Sequence, residues 1–464
     1  MSRKGVFRQI LATLIATTSI LISGMWLGWP SSVVEKFINH ETDVEVNMNE
    51  LSWIVSMMDL GNVISPLIAG YLMDRVGRKP STVMLGPLFL ATWLLTLYVP
   101  TTWSLYTARL MAGMGKGISY TVVPVFLGEI AGVNIRGALG SVFCVQLHLG
   151  FLIEAVVGPL ISYRALNAMS AVVPVAFLVA AVWLSESPYY MLKRGRSADA
   201  AQCLQWYRCD ADADVDAELR RMDADVRHEM ENPGSFRELF TSRKDMRALG
   251  IVVMACVSQR AGGISCILAY SAIILPEPAP LMGRSGYVTL FGVALVVINL
   301  AAATLVDRCG RRPLLFGSEA AMAAITAAFA FYYWLAARGV DVSGLAWMPY
   351  LCHASFAVAF AAGVGFVPVV YLGEMFPVNI RSHCSAVASI TLAFCSFATN
   401  KMFLIVSHRY GTHAMFCLFT VVNAAGAAYT YRYAIETKGK TFADIQRLLR
   451  DGDDGVKDGG QHRA

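Results

Sequence analysis

Apolar residues gather in twelve long stretches, at roughly 9–30, 51–73, 81–99, 105–127, 138–161, 165–185, 248–275, 287–306, 313–335, 348–372, 383–406 and 413–435. Each is close to the ~20 residues that a helix needs to cross a hydrocarbon core. The first follows Arg3, Lys4 and Arg8; it is too long for a leader's apolar core and has no clear cleavage site, so it reads as a span. Polar segments between the stretches are short, with two exceptions. Residues 31–50 form an acidic loop, and 186–247 form a charged linker. In the linker Leu204, Trp206, Tyr207, Leu219, Met222 and Val226 recur at helical spacing, which predicts short amphipathic helices lying under both halves. The Gly/Asp-rich end after Asp451 is too polar to pack. The pattern predicts an all-α membrane protein of two six-helix bundles: residues 1–185, a cytosolic helical linker at 186–247, residues 248–435, and a largely disordered cytosolic tail at 436–464.

Composition agrees, with 56% hydrophobic and 15% charged residues. With the N-terminus inside, inner segments hold 29 Lys and Arg, while the outer ones hold only Lys36, Arg164, Arg284, Arg338 and Arg409. That asymmetry predicts that both termini are cytosolic, and it accounts for the net charge of +5 without a nucleic-acid partner. None of the ten cysteines sits in an obvious outer loop, which argues against a disulfide framework, and no Asn-x-Ser/Thr acceptor occurs.

Two motifs recur in the same order. Asp74-Arg75-Val-Gly77-Arg78-Lys79-Pro returns 233 residues later as Asp307-Arg308-Cys-Gly310-Arg311-Arg312-Pro, and the Leu-Gly-Glu129 to Arg136 segment returns 245 residues later as Leu-Gly-Glu374 to Arg381. Parallel repeats in a membrane protein suggest two halves rocking around a central site. All four motifs fall at the inner ends of spans, where carboxylates and forked guanidinium groups can pair into a breakable gate. Gly77 and Gly310 permit tight turns.

These motifs, together with Gly70, Glu186-Ser187-Pro188, Gln259 and Glu436-Thr437-Lys438-Gly439, resemble the sugar-porter branch of the major facilitator superfamily over nearly the whole chain. The wording from Phe126 to Gly140 and from Asp307 to Leu315 is most similar to insect facilitated trehalose transporters. The resemblance implies the major facilitator fold, an inner gate built from the repeated charges with Glu186 and Glu436, and a substrate site at the midplane. Sugar ligands need amides, hydroxyls and aromatic faces, and the family's positions for these are altered here. Its fifth-span Gln falls on Cys144, beside Gln146; its seventh-span amide motif reads Gln259-Arg260-Ala-Gly-Gly-Ile-Ser265; an Asn falls on Leu295; and the tenth-span Trp is absent from Gly363 to Val369.

Charges stand within the spans instead, where ionisable groups are expensive and mark function. Asp59 lies 15 residues before Asp74, and Lys116 13 before Glu129. At ~1.5 Å per residue both reach ~20 Å from the inner face, so the simplest expectation is that they pair. Arg260 is also near mid-depth, with Glu154 as a candidate partner; unpaired, it would favour an anion. The first span has no acid from Ile10 to Pro30, where the family's proton-coupled members place one, which points to uncoupled movement.

The reading is a sugar carrier, for trehalose or a hexose, working by alternating access in the plasma membrane. Gln259, Arg260, Ser265 and Gln146 are its candidate ligand contacts. The alternatives are a carrier of another, anionic solute and a non-transporting sensor on the same fold. The chain shows no metal-ligand cluster, cofactor motif or catalytic pair, so an enzyme is not expected; oligomeric state is not legible.

Overall fold

The computed structural model describes residues 3–132, 135–209, 212–231 and 236–450. All twelve expected spans are helical. In the first half they are Arg3–Ile38, Met48–Arg75, Arg78–Val83 with Leu85–Tyr98, Thr102–Ile130, Arg136–Val157 and Tyr163–Ala181. In the second they are Arg243–Ala261 with Ile264–Ile274, Arg284–Cys309, Arg311–Ala337, Met348–Ala362 with Val367–Met375, Val378–Tyr410 and Thr412–Tyr433. The second span bends by 46° near Pro66, where proline removes a backbone donor.

Local chemistry sets several helix starts. Asn47 and Glu50 form a reciprocal capping box on the second span, and Thr101 and Ser162 cap the fourth and sixth. Within the first bundle the spans cross closely where glycine removes a side chain. A Cβ at Gly61 or Gly113 would overlap the carbonyl of Leu110 or Met58, and one at Gly24 or Gly150 that of Leu147 or Leu21. Small residues at such crossings maximise packing between spans in lipid. The bundles meet where the second span packs on the eleventh, the fifth on the eighth, and the first on the Ile264–Ile274 half of the seventh.

The second half differs from the first in its breaks. The seventh span is interrupted at Gly262-Gly263, with Gly263 at φ +115° and the Phe419 ring 3.0 Å from where its Cβ would be. The tenth is interrupted between Ala362 and Val367.

Linker and tail depart from expectation in part. Linker helices Pro188–Lys193, Ser197–Arg208 and Asp212–Glu231 share a small core of Leu192, Ala200, Leu204, Val215, Met222 and Val226. They are bolted to the first bundle alone. Tyr207 Oη donates to Ser185 O at 2.6 Å, Arg208 Nη1 to Ile130 O at 2.8 Å, and Gln9 Nε2 to Tyr207 O at 3.1 Å. Among the described linker residues, Phe236 and the short Glu238–Thr241 helix reach the second bundle, and the seventh span already begins at Arg243. The linker therefore lies mainly beneath one half, because its buried polar groups find their partners there. The stretch expected to be a disordered tail contains a helix, Phe442–Arg450, whose Ile445 and Leu449 are each 2% exposed in the main core. Residues 451–464 lie outside the described residues.

Candidate functional site

The repeated motifs build two matching corners on the face that carries the chain ends. In the first bundle, the turn between second and third spans passes through Gly77 at φ +111°. Glu186, arriving from the end of the sixth span, caps the third: its Oε1 accepts from Arg78 N at 3.1 Å, Lys79 N at 3.0 Å and Ser187 N at 2.8 Å. A carboxylate suits a helix N-terminus because the unpaired amides and the helix dipole both favour negative charge. Burial lifts the Glu186 carboxyl above its ordinary range, against the opposing pull of those amides and the Arg78 charge. The second bundle repeats this. Gly310 has φ +88°, and Glu436 accepts from Arg311 N and Arg312 N at 3.1 Å each and from Lys438 N at 2.8 Å.

From each corner an arginine reaches the carboxylate of the following motif. Arg78 Nε lies 3.1 and 3.0 Å from the Glu129 oxygens and Nη2 2.8 Å from Oε1, a forked contact. Arg311 Nη2 donates to Glu374 Oε1 at 2.8 Å, and Thr437 Oγ1 to Oε2 at 2.5 Å. Asp74 pairs with Lys193 of the linker at 3.6 Å. The remaining cations spread outward: Arg75 over the Tyr71 ring, Arg312 on Tyr431 O at 2.6 Å, Arg381 on Phe376 O at 3.1 Å, and exposed Arg308, whose carbonyl accepts from Lys438 Nζ. The side chains of Arg136 and Asp307 lie outside the described residues. Among the described residues, these contacts stay within their own bundle or its linker.

The ties that do join the bundles lie toward the opposite face. Arg284 Nη1 meets Glu35 at 3.0 Å, Lys401 Nζ meets Ser52 Oγ at 2.7 Å and Asn49 Oδ1 at 3.1 Å, and Trp53 contacts Phe397. Deeper, Asn400 Nδ2 of the eleventh span donates to Asp59 Oδ2 of the second at 2.8 Å.

That aspartate belongs to a mid-span cluster. Lys116 Nζ stands 3.7 Å from Asp59 Oδ1, with the two side chains 2% and 5% exposed. Arg260 lines the same cavity as both, with Asn62, Tyr120 and Ser396. The structure gives Arg260 no hydrogen-bond or ion-pair partner among the described residues. Glu154 is not its counterion. The carboxylate turns toward the sixth span, where Ser170 Oγ donates to it at 2.6 Å, and its Cβ packs on Gly28 of the first. Depth alone placed the two residues together; the facing of the fifth helix keeps them apart.

The other candidate contacts are differently employed. Gln259 Nε2 donates to Val364 O and Gly365 O at 2.8 Å each and so braces the break in the tenth span. Ser265 Oγ accepts from Ser396 Oγ at 2.9 Å. Gln146 keeps a buried, unpartnered Oε1 and does not line the cavity.

Sequence reasoning missed three groups. Arg109, 2% exposed, fans its guanidinium onto Trp26 O at 2.6 Å, Val55 O at 2.9 Å and Ile54 O at 3.0 Å, joining the first, second and fourth spans. A charge at mid-stretch was its visible signal. Asn400 carried none beyond being an amide in a span. Glu319 of the ninth span is fully buried near Gly426 and Ser258, and neither carboxyl oxygen has a hydrogen-bond partner among the described residues.

With this geometry in place, comparison with known proteins is informative. Residues 12–449 match the family described as sugar (and other) transporter. The chain is 27% identical over 447 residues to the facilitated trehalose transporter Tret1 of Polypedilum vanderplanki, covering 96% of this chain and 88% of that one. It is 28% identical over 452 residues to Tret1 of Culex quinquefasciatus, covering 96% and 86%. Among solved structures, the major facilitator proton:xylose symporter XylE bound to 6-bromo-6-deoxy-D-glucose superposes with a TM-score of 0.77 at 20% identity, over 96% of this chain and all of that one. The inward open conformation of XylE from E. coli gives 0.76 at 20% identity, over 94% and 98%. At that identity the likeness is one of fold.

Proposed function

From the premise that this chain belongs to the sugar (and other) transporter family, we propose that it moves a sugar, trehalose or a hexose, across the plasma membrane by alternating access. It is a transporter and not an enzyme. The observation that carries the mechanism is the division of polar ties. The charge networks on the termini face hold each bundle rigid, while the contacts that join the bundles lie at mid-depth and beyond. Two bodies fastened at one end are free to part at the other. With both termini cytosolic, as the Lys/Arg distribution favours, the conformation is inward-facing.

Uncoupled movement is favoured by the first span, which carries no acid between Ile10 and Pro30. Arg109, packed against that span, is satisfied by carbonyl oxygens. Trehalose leads because the relatives that this chain matches along most of its length are trehalose transporters. Gln259, Arg260, Ser265 and Gln146 are the side chains assigned to the substrate path; Arg260 faces the cavity between the second and eleventh spans, and their separation would widen it.

Uptake of labelled trehalose and glucose into cells expressing the protein, at external pH 5.5 and 7.5, tests the reading. Saturable uptake unchanged by pH is expected. Uptake that collapses at the higher pH overturns uncoupled movement, and no uptake of either sugar by protein at the cell surface overturns the trehalose-or-hexose assignment.

A further inference from the structure

The mid-span cavity has an unbalanced set of polar groups. Asp59 is its one acceptor of full charge, and both its oxygens are engaged, Oδ1 by Lys116 and Oδ2 by Asn400. Against it stand two cations. Lys116 is held at 3.7 Å, an ion pair longer than a hydrogen bond, with its ammonium also over the Tyr120 ring. Arg260 brings up to five more donors, with no partner among the described residues. The Tyr120 hydroxyl is buried and unpartnered as well. Glu154, the other acid in the first bundle's interior, is occupied by Ser170 on the far side of its helix.

A buried hydroxyl without a partner asks for an explanation, and half-buried Arg260 leaves its charge facing the cavity. Here the count leaves one positive charge and a surplus of N–H and O–H groups. A neutral sugar offers hydroxyls, each as much donor as acceptor, and leaves the excess charge uncompensated. A carboxylate offers acceptors only, and Arg matches it with a fork. Asn62, Ser389 and Ser396 in the wall are suited to hydroxyls, and Leu392 and Pro66 to an apolar ring face.

We propose that the ligand of this cavity is a sugar that carries a single carboxylate, of the hexuronate class, with its carboxylate on Arg260 and Lys116 and its hydroxyls on the serine and asparagine side. The inference rests on the carrier reading above and sets an acidic sugar in place of a neutral one as the preferred substrate. The cavity is about 30 Å³ in this conformation, room for a water or two. The ligand enters when the second and eleventh spans part, which also frees Asp59 from Asn400.

The test is direct binding to purified protein in lipid nanodiscs, with labelled glucuronate, glucose and trehalose as probes, for wild type, Arg260→Gln and Arg260→Lys. Glucuronate is expected to bind at least tenfold tighter than either neutral sugar. Arg260→Gln should bring the uronate-to-glucose affinity ratio to near one, and Arg260→Lys should restore part of it. Because the readout is a ratio within one preparation, partial loss of folded protein does not imitate the result. Neutral sugars binding as well as glucuronate in wild type, or a ratio indifferent to Arg260→Gln, overturns the uronate assignment and leaves the carrier reading standing. Binding of none of the three overturns both.

Discussion

Replacing Gly77 by alanine isolates what the repeated carboxylate corner contributes. Gly77 has φ +111° and ψ 172°, a region open essentially to glycine alone. Forcing another residue there costs about 1–3 kcal/mol. The new Cβ would also overlap Glu186 Oε2 and stand 3.0 Å from Tyr190 Cε1. Glu186 must then retreat from the amides of Arg78, Lys79 and Ser187, which it now meets at 3.1, 3.0 and 2.8 Å. Losing one hydrogen bond to a charged group costs about 1.5–3 kcal/mol, so the total expected for Gly77→Ala is about 2.5–6 kcal/mol. The reference is Gly128→Ala in the fourth span, where nothing lies within 4 Å of the added carbon and alanine in a helix is worth about 0.5–1 kcal/mol over glycine. The assay is the fraction of detergent-solubilised protein that stays monodisperse after heating. Gly77→Ala should melt several degrees below wild type, and Gly128→Ala at or above it. Removing the carboxylate relieves the overlap, so in a Glu186→Ala background Gly77→Ala should cost only the backbone strain. The double-mutant cycle then shows a coupling of about 1.5–3 kcal/mol. An additive cycle, or equal melting of the two glycine variants, refutes the reasoning. Gly310, whose Cβ would lie 2.6 Å from Glu436 Oε2, should behave as Gly77 does.

Other expectations follow from the same geometry. Lys116→Met leaves Asp59 buried without a counterion and should destabilise by about 3–5 kcal/mol, whereas Asp59→Leu/Lys116→Met together should cost much less; equal melting of single and double variants would contradict the pairing. Arg109→Met strips donors from three buried carbonyls, at about 1–3 kcal/mol each, and should abolish folding of the first bundle, read as loss of monodisperse protein. Asn400→Ala removes the deepest tie between the bundles and should raise labelling, from the face opposite the termini, of a cysteine placed at Ser396; unchanged labelling would deny Asn400 a gating part. Because burial raises the Glu186 carboxyl above its unfolded value of about 4.3, the folded state holds that proton more tightly. Its stabilisation is complete below the unfolded value and is lost as pH climbs through the folded one. The melting difference between wild type and Glu186→Gln should therefore shrink from pH 4.5 to 7.5, and a difference that grows over that range refutes the sign.

Much of the architecture is legible in one dimension. A bilayer demands ~20 apolar residues per crossing, and this chain writes that twelve times. The paired Asp-Arg-x-Gly and Leu-Gly-Glu motifs disclose the duplication. Helical rise gives depth, which set Asp59 beside Lys116 before any coordinates. What the sequence does not specify is which neighbour a helix face meets, because packing between spans is settled by close approach at glycines and by matching of polar groups across helices far apart in the chain. Depth paired Arg260 with Glu154; the rotation of the fifth helix gave Glu154 to Ser170 instead. The amide motif marks Gln259 without saying that it donates to the carbonyls bared by the break in the tenth span. The hydrogen bonds of Arg109 go to main-chain carbonyls, which no side-chain pattern announces. Asn400 reaches Asp59 across 341 residues. Composition and period determined how many helices cross and how deep each group lies; the tertiary structure alone decided which of those groups face one another, since that depends on the rotation of every helix about its own axis.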